Sequence, residues 1–370
     1  MQNKQLKENL AQSGMNVSSP SFRTLYLSGA CCFALLISSC SGNSQTAQKT
    51  GDSSGVKTSA ATASKDSVTS PAEPARGPLD TALYNKKVAA LANGDSSGRW
   101  PVKTAYPIGG AILPFKRIVA YYGNFYSKKM GVLGEYPPDE MLKRLGAEIK
   151  KWEAADTSTP VQPALHYIAA TAQGSPGKDG KYRLRMPSKQ IDSVINLAAR
   201  IHALVFLDVQ VGFSNVQAEI PVLEKYLKMP QVHLGIDPEF SMKTGKKPGT
   251  VIGTMDAADV NFVSNYLAGL VKANNLPPKI LVVHRFTRPM ITNYKAIQKH
   301  PEVQLVMDMD GWGEPTLKYD SYKSYIALEP VQFTGFKLFY KNDIRKPKSR
   351  MLTPQEVLSQ KPRPIYIQYQ

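Results

Sequence analysis

The chain has 370 residues, 42% of them hydrophobic and 9% aromatic, so a sizeable core is available and wholesale disorder is excluded. Lys and Arg number 46 against 29 Asp and Glu, a formal net charge of +17 that favours anionic surfaces. The basic residues are scattered as singles and pairs, such as Lys128-Lys129, Lys150-Lys151 and Lys246-Lys247. No nucleic-acid recognition motif accompanies them, so no nucleic-acid partner is expected. All three cysteines, Cys31, Cys32 and Cys40, fall in the first forty residues, so the remainder can hold neither a disulfide nor a thiolate metal site.

Leu25 to Ser39 is a mostly apolar stretch preceded by Arg23. It falls short of the roughly 20 residues of a membrane span but fits the core of a signal peptide. Ile37-Ser38-Ser39-Cys40 follows and resembles a bacterial lipobox. The resemblance implies cleavage before Cys40 and a diacylglycerol anchor on it, with each buried methylene adding about 0.8 kcal/mol of membrane affinity. Residues 1–39 are therefore expected to be a lipoprotein signal peptide, with Met15 an alternative start. Residues 40–78, rich in Ser, Thr, Ala, Gly, Gln and Lys, are expected to be a flexible lipid-anchored tether, since they bury too little to offset chain entropy. Membrane attachment in the bacterial cell envelope, facing outside the cytoplasm, is the expected location.

Residues 79–110 are predicted to hold one helix (79–93, with Leu83, Val88 and Leu91 at helical spacing) and an extended lead-in. From 111 to 370 short apolar runs alternate with amphipathic stretches. Strands are predicted at 117–123, 163–172, 204–212, 232–240, 279–286, 303–311, 333–341 and 364–370. Helices are predicted between them at 137–156, 187–203, 215–229, 258–274, 291–299, 317–327 and 353–360. Eight strands separated by helices match an α/β fold, a single (β/α)8 TIM-like barrel whose chain ends in the eighth strand. An open doubly wound sheet is the alternative. The helix at 79–93 is placed over barrel surface that an eighth helix would otherwise cover.

Alternation within the strands sorts the inward residues. The third strand turns Phe206, Asp208 and Gln210 inward, and the fourth His233, Gly235, Asp237 and Glu239. The sixth turns in Gln304, Val306, Asp308 and Asp310. The rows become acidic towards the C-terminal ends, where barrel enzymes carry their sites. Lys337, Phe339 and Lys341 share a row on the seventh strand. His284 and Arg285 are adjacent on the fifth, and alternation does not say which faces in. Five carboxylates at one mouth admit three explanations. They form a structural network with Lys337, Arg285 and Lys341; or an acid/base pair for glycoside hydrolysis; or a divalent-cation site of Asp208, Asp237, Asp308 and His284. Asp237-Pro238-Glu239 also reads as a turn cap, and Asp310 before Gly311-Trp312-Gly313 as an Asx cap. The Gly-rich basic loop 241–256 reads as a lid, without nucleotide-binding spacing. His166, His202, His233 and His300 show no zinc spacing.

Tyr121-Tyr122-Gly-Asn, Asp208-Val-Gln-Val-Gly, Ile236-Asp-Pro-Glu-Phe, Ile252-Gly-Thr, Leu276-Pro-Pro-Lys, Val283-His, Met309-Asp-Gly-Trp-Gly and Tyr369-Gln370 together resemble a family of uncharacterised bacterial lipoproteins and secreted proteins. That family implies no particular activity. The paired acidic strand ends are also distantly similar to glycoside-hydrolase barrels, a likeness of fold alone. The leading expectation is a carbohydrate-active hydrolase without a cofactor. Glu239 is its general acid, and Asp237, Asp310 or Asp208 its second carboxylate. Tyr122, Gln210, His284, Arg285, Trp312 and Lys337 bind substrate. The alternatives are a barrel that binds glycan or another envelope component without catalysis, and a metal-dependent hydrolase using a divalent cation.

Overall fold

A computed structural model describes residues 77–370. The leader, Cys40 and the tether up to residue 76 lie outside the described residues. Eight parallel strands form a closed barrel: β1 (Arg117–Gly123), β2 (Val161–Ala172), β3 (Leu204–Val209), β4 (Val232–Ile236), β5 (Lys279–His284), β6 (Val303–Met309), β7 (Phe333–Leu338) and β8 (Tyr366–Tyr369). Each pairs with its sequence neighbour. Closure comes from β1 against β8, with Ile118 beside Tyr366 and Tyr121 beside Tyr369. The open-sheet alternative is thereby excluded.

The outward rows carry the apolar side chains that seat the helices. Leu165 and Tyr167, Val205 and Leu207, Leu281 and Val283, and Leu305 and Met307 share one buried cluster with Met141, Leu145, Trp152 and Val263. Each such Val or Leu contributes roughly 1.5–3 kcal/mol by leaving water. Helix α1 spans Thr81–Leu91, α2 Pro138–Ala155, α3 Ser188–Ala199, α4 Ala257–Ala273, α5 Pro315–Tyr322 and α6 Pro354–Leu358. Pro138 opens α2, with Asp139 and Glu140 in the first turn where the helix dipole favours anions. Asp256 and Asp259 cap α4 reciprocally.

Three helical expectations are corrected. The segment 215–229 is not one helix but Val216–Glu219, a 3₁₀ turn at Pro221–Leu223, and Glu224–Leu227. Pro221 supplies no N–H and its ring blocks continuation. The segment 291–299 is not helical. It holds a two-residue strand, Ile291–Thr292, paired with Met255–Asp256, then Asn293 at φ 56° and a single 3₁₀ turn. On α1, Leu83 is exposed and Tyr84 is the buried residue. Its Val88 and Leu91 pack on the inward cluster of Leu113, Ile118, Ala120, Phe206, Ile280, Val282 and Phe333. Leu113 precedes β1 and the others come from the early and middle parts of the strands, so α1 closes the N-terminal end of the barrel rather than a flank. The barrel interior is thus mainly apolar below, with His233 and Gln304 buried among these residues and bonded to backbone, and polar above.

Candidate active site at the C-terminal mouth

A pocket of about 530 Å³, counted with the open space at its mouth, lies among the C-terminal ends of the strands. Tyr122, Gln210, Asp237, Glu239, Asp310 and Lys337 supply its polar lining, and Phe240, Trp312 and Phe339 its aromatic walls. The chain leaves β4 at Asp237, which caps the following 3₁₀ turn: Oδ1 accepts the Glu239 N–H at 3.0 Å. That turn carries Glu239 to the pocket, partly exposed, where a continued strand would not. The cap reading of Asp237-Pro238-Glu239 and its place in the pocket therefore both hold. Gln210 accepts the Ala172 N–H at 3.0 Å and donates Nε2 to Asp237 Oδ2 at 3.2 Å. Lys337 Nζ stands 3.8 Å from the centre of the Tyr122 ring, a cation held on an aromatic face.

Burial dominates the electrostatics. It pushes the Asp237 carboxyl up to about 7, with Asp310 and Asp208 adding to the rise and His284 and Lys337 opposing it. Burial likewise raises Asp310 to about 6 against His284 and Lys337. Glu239 is held well above the ordinary carboxylate range by burial and by the nearby Asp237 and Asp310. Like charges in a low-dielectric site disfavour joint ionisation, so these carboxyls hold their protons to higher pH than free ones do.

Beneath the pocket lies a second polar layer. Asp208 accepts the Tyr122 hydroxyl at 2.9 Å through Oδ2. Its Oδ1 faces His166 Nε2 at 3.3 Å and His284 Nε2 at 3.4 Å. His284 Nδ1 faces Asp308 Oδ2 at 3.2 Å and Asp310 Oδ2 at 3.6 Å. His166 Nδ1 meets the Tyr366 hydroxyl at 2.6 Å and Gln368 Nε2 at 3.0 Å. His166, Asp208, His284 and Asp308 are completely buried. Burial opposes charge on His284, but Asp208, Asp308 and Asp310 outweigh it and hold its pKa well above the imidazole norm. Burial lowers His166 to about 4. Asp208, despite burial, is held below its usual range by the two imidazoles. Two glycines make room for this layer. A Cβ on Gly235 would lie 2.4 Å from His166 Nε2 and 2.5 Å from Asp208 Oδ1, and one on Gly335 2.5 Å from Asp308 Oδ1.

Of the residues expected at the mouth, Asp237, Glu239, Asp310, Tyr122, Gln210, Trp312 and Lys337 line the pocket. Asp208, Asp308 and His284 sit one layer below. Arg285 does not belong to the site. It follows His284 on a strand whose side chains alternate, so it points out of the barrel. There it donates to the Tyr325 and Arg288 carbonyls at 3.0 Å and pairs with Glu329. Lys341 lies beyond β7, exposed and paired with Glu135. The proposed neutralising network of Arg285 and Lys341 is therefore absent, and Lys337 alone of the three stands at the pocket. Of the four-residue cation set, Asp208 and His284 form one close grouping with His166, their ligand atoms within 4.8 Å of one another, while Asp237 is engaged by Gln210. The loop 241–256 is tied at both ends, with Gly253 N–H donating to Glu239 O and Thr254 N–H to Ser241 O. The sequence reading missed His166, Phe240, Tyr366 and Gln368. The signal for His166 was its place between Ala164 and Ile168 on an otherwise apolar inward row.

No protein-family profile matches the chain, and no curated protein sequence matches it. Among solved structures it is similar to a Bacillus subtilis mannanase at 10% identity, covering 79% of this chain and 86% of that one with a TM-score of 0.38. It is similar to Thermotoga maritima Cel5A, solved with cellobiose, at 8% identity, 69% and 88% coverage and a TM-score of 0.36. An endo-β-N-acetylglucosaminidase from Cordyceps militaris matches at 12% identity, 79% and 87% coverage and a TM-score of 0.31. At such distances the likeness assigns no role to any residue of this chain.

Proposed function

We propose that the protein is a carbohydrate-active hydrolase working through opposed carboxylates at the barrel mouth. The supporting observation is that Asp237, Glu239 and Asp310 line one open, aromatic-walled pocket. Glycoside cleavage needs an acid for the leaving oxygen and a second carboxylate as base or nucleophile on the other side of the sugar. Glu239, carried on the turn after β4, is the general acid. Asp310 follows β6, one strand removed from β4, and is the opposed carboxylate. Asp237 orients Glu239 through the backbone bond at the cap. Lys337 binds and orients substrate from β7. Asp208, below the pocket and bonded to Tyr122, positions the lining rather than reacting.

We also propose that Cys40 carries a lipid that holds the enzyme on the envelope. The order of apolar core, Ile-Ser-Ser-Cys and polar tether supports it. Among the described residues no helix is long and apolar enough to cross a membrane.

The test of the activity is a screen of the full chain, in detergent, against chromogenic glycosides and envelope polysaccharides. Glu239→Gln and Asp310→Asn are each expected to lower kcat about 10²–10⁴-fold on whichever substrate the wild type cleaves. Absence of cleavage by the wild type, together with glycan binding that both substitutions leave unchanged, would establish a binding barrel instead.

A further inference from the structure

We propose that His166, Asp208 and His284 form a binding site for one transition-metal dication of the zinc class, set beneath the pocket. The inference does not depend on the reaction at the mouth.

The distances carry it. Asp208 Oδ1 is 3.3 Å from His166 Nε2 and 3.4 Å from His284 Nε2, and the three atoms all lie within 4.8 Å of one another. Bonds of about 2.1 Å from zinc to nitrogen or oxygen, arranged tetrahedrally, separate neighbouring donor atoms by about 3.4 Å. Hydrogen bonds from a cationic imidazole to a carboxylate close instead to about 2.7–2.9 Å. All three atoms are also buried without a hydrogen-bond partner. Buried polar atoms are normally satisfied, so three orphans facing one another call for something between them.

The surroundings fit the same reading. A metal-bound imidazole usually gives its other nitrogen to a fixed outer partner, which sets the ring's orientation. His284 Nδ1 faces Asp308 Oδ2 at 3.2 Å, and His166 Nδ1 meets the Tyr366 hydroxyl at 2.6 Å. The free oxygen of Asp208 accepts the Tyr122 hydroxyl at 2.9 Å. These donors come from β1, β2, β3, β5, β6 and β8, so the site is built by the barrel rather than by a mobile loop. Two imidazoles and one carboxylate suit zinc and its neighbours in the first transition row. Calcium and magnesium prefer all-oxygen sites.

The experiment uses the full chain, stripped with chelator and titrated with zinc chloride by calorimetry, with cobalt(II) as a spectroscopic substitute. The wild type is expected to take up one equivalent and to show the visible d–d bands of low-coordinate cobalt. Asp208→Asn and His284→Gln are expected to weaken zinc binding at least about 100-fold, and Asp308→Asn about 10–100-fold. Circular dichroism confirms that each variant is folded. Failure of the folded wild type to bind zinc saturably would overturn the proposal and leave His284 as an ion-paired cation between Asp208 and Asp308. So would a folded Asp208→Asn variant that binds zinc as tightly as the wild type. The wild-type titration decides the matter even if a variant does not fold.

Discussion

Replacing Asp237 by Asn tests whether the pocket stores a proton. Burial and the neighbouring carboxyls raise this group from 3.8 to about 7. In the unfolded chain it returns to its ordinary value, so the folded state binds the proton more tightly. The associated stability is fully present below about pH 4 and is lost as the pH rises through about 7. At about 1.4 kcal/mol per pH unit, the span amounts to about 4 kcal/mol. Asn matches the neutral acid in shape and cannot ionise. Its amide does, however, turn a donor towards Gln210 Nε2, which now donates to Asp237 at 3.2 Å, and this costs about 1 kcal/mol at every pH. The variant should therefore be about 1 kcal/mol less stable than wild type near pH 4 and about 3 kcal/mol more stable near pH 8. Urea unfolding of the full chain at both pH values, with chelator present, measures the difference. An equal loss at both pH values would show that Asp237 is ionised and structurally paired, and the account of the pocket would fail.

Arg285→Met should lower stability by about 3–5 kcal/mol, because Glu329 and several backbone carbonyls lose a buried cation. Activity per folded molecule should stay at the wild-type level, and a specific loss of kcat would return Arg285 to the site. Tyr122→Phe removes the 2.9 Å bond to Asp208 and should cost about 1.5–3 kcal/mol in urea unfolding; a neutral result would mean that Asp208 is satisfied otherwise. Cys40→Ala should move the protein from the membrane to the soluble fraction after alkaline washing. A wild type already soluble would rule the anchor out.

The fold was legible because the outward rows are predominantly apolar. Val205, Leu207 and Val209 on one side of β3 leave Phe206 and Asp208 no direction but inward, and the structure keeps that division. On β5 the same logic gave no answer at His284-Arg285. Ile280 and Val282 inside are as apolar as Leu281 and Val283 outside, so the two rows look alike until the barrel is closed. The acidic mouth was readable from three strand ends taken together. The histidine layer was not, because His166, Asp208 and His284 meet across the barrel from β2, β3 and β5. No spacing along the chain records such a meeting. Pro221 was visible in the sequence, but the apolar periodicity on both sides of it masked the break.

Gly235 and Gly335 constrain how this barrel can change over generations. Neither position can gain even a methyl group while its aspartate stands, since the added carbon would lie 2.5 Å from Asp208 Oδ1 or Asp308 Oδ1. Substitution must therefore follow an order: the aspartate shortens before the glycine can fill, and at 235 His166, whose Nε2 would lie 2.4 Å from the added carbon, must also give way. Once Ala occupies position 235, restoring Asp at 208 meets an obstacle that was not there before. The route back runs through the same intermediate, with the alanine returning to glycine before the aspartate is restored. Each glycine–aspartate couple therefore fixes the order in which this buried layer can be lost or regained.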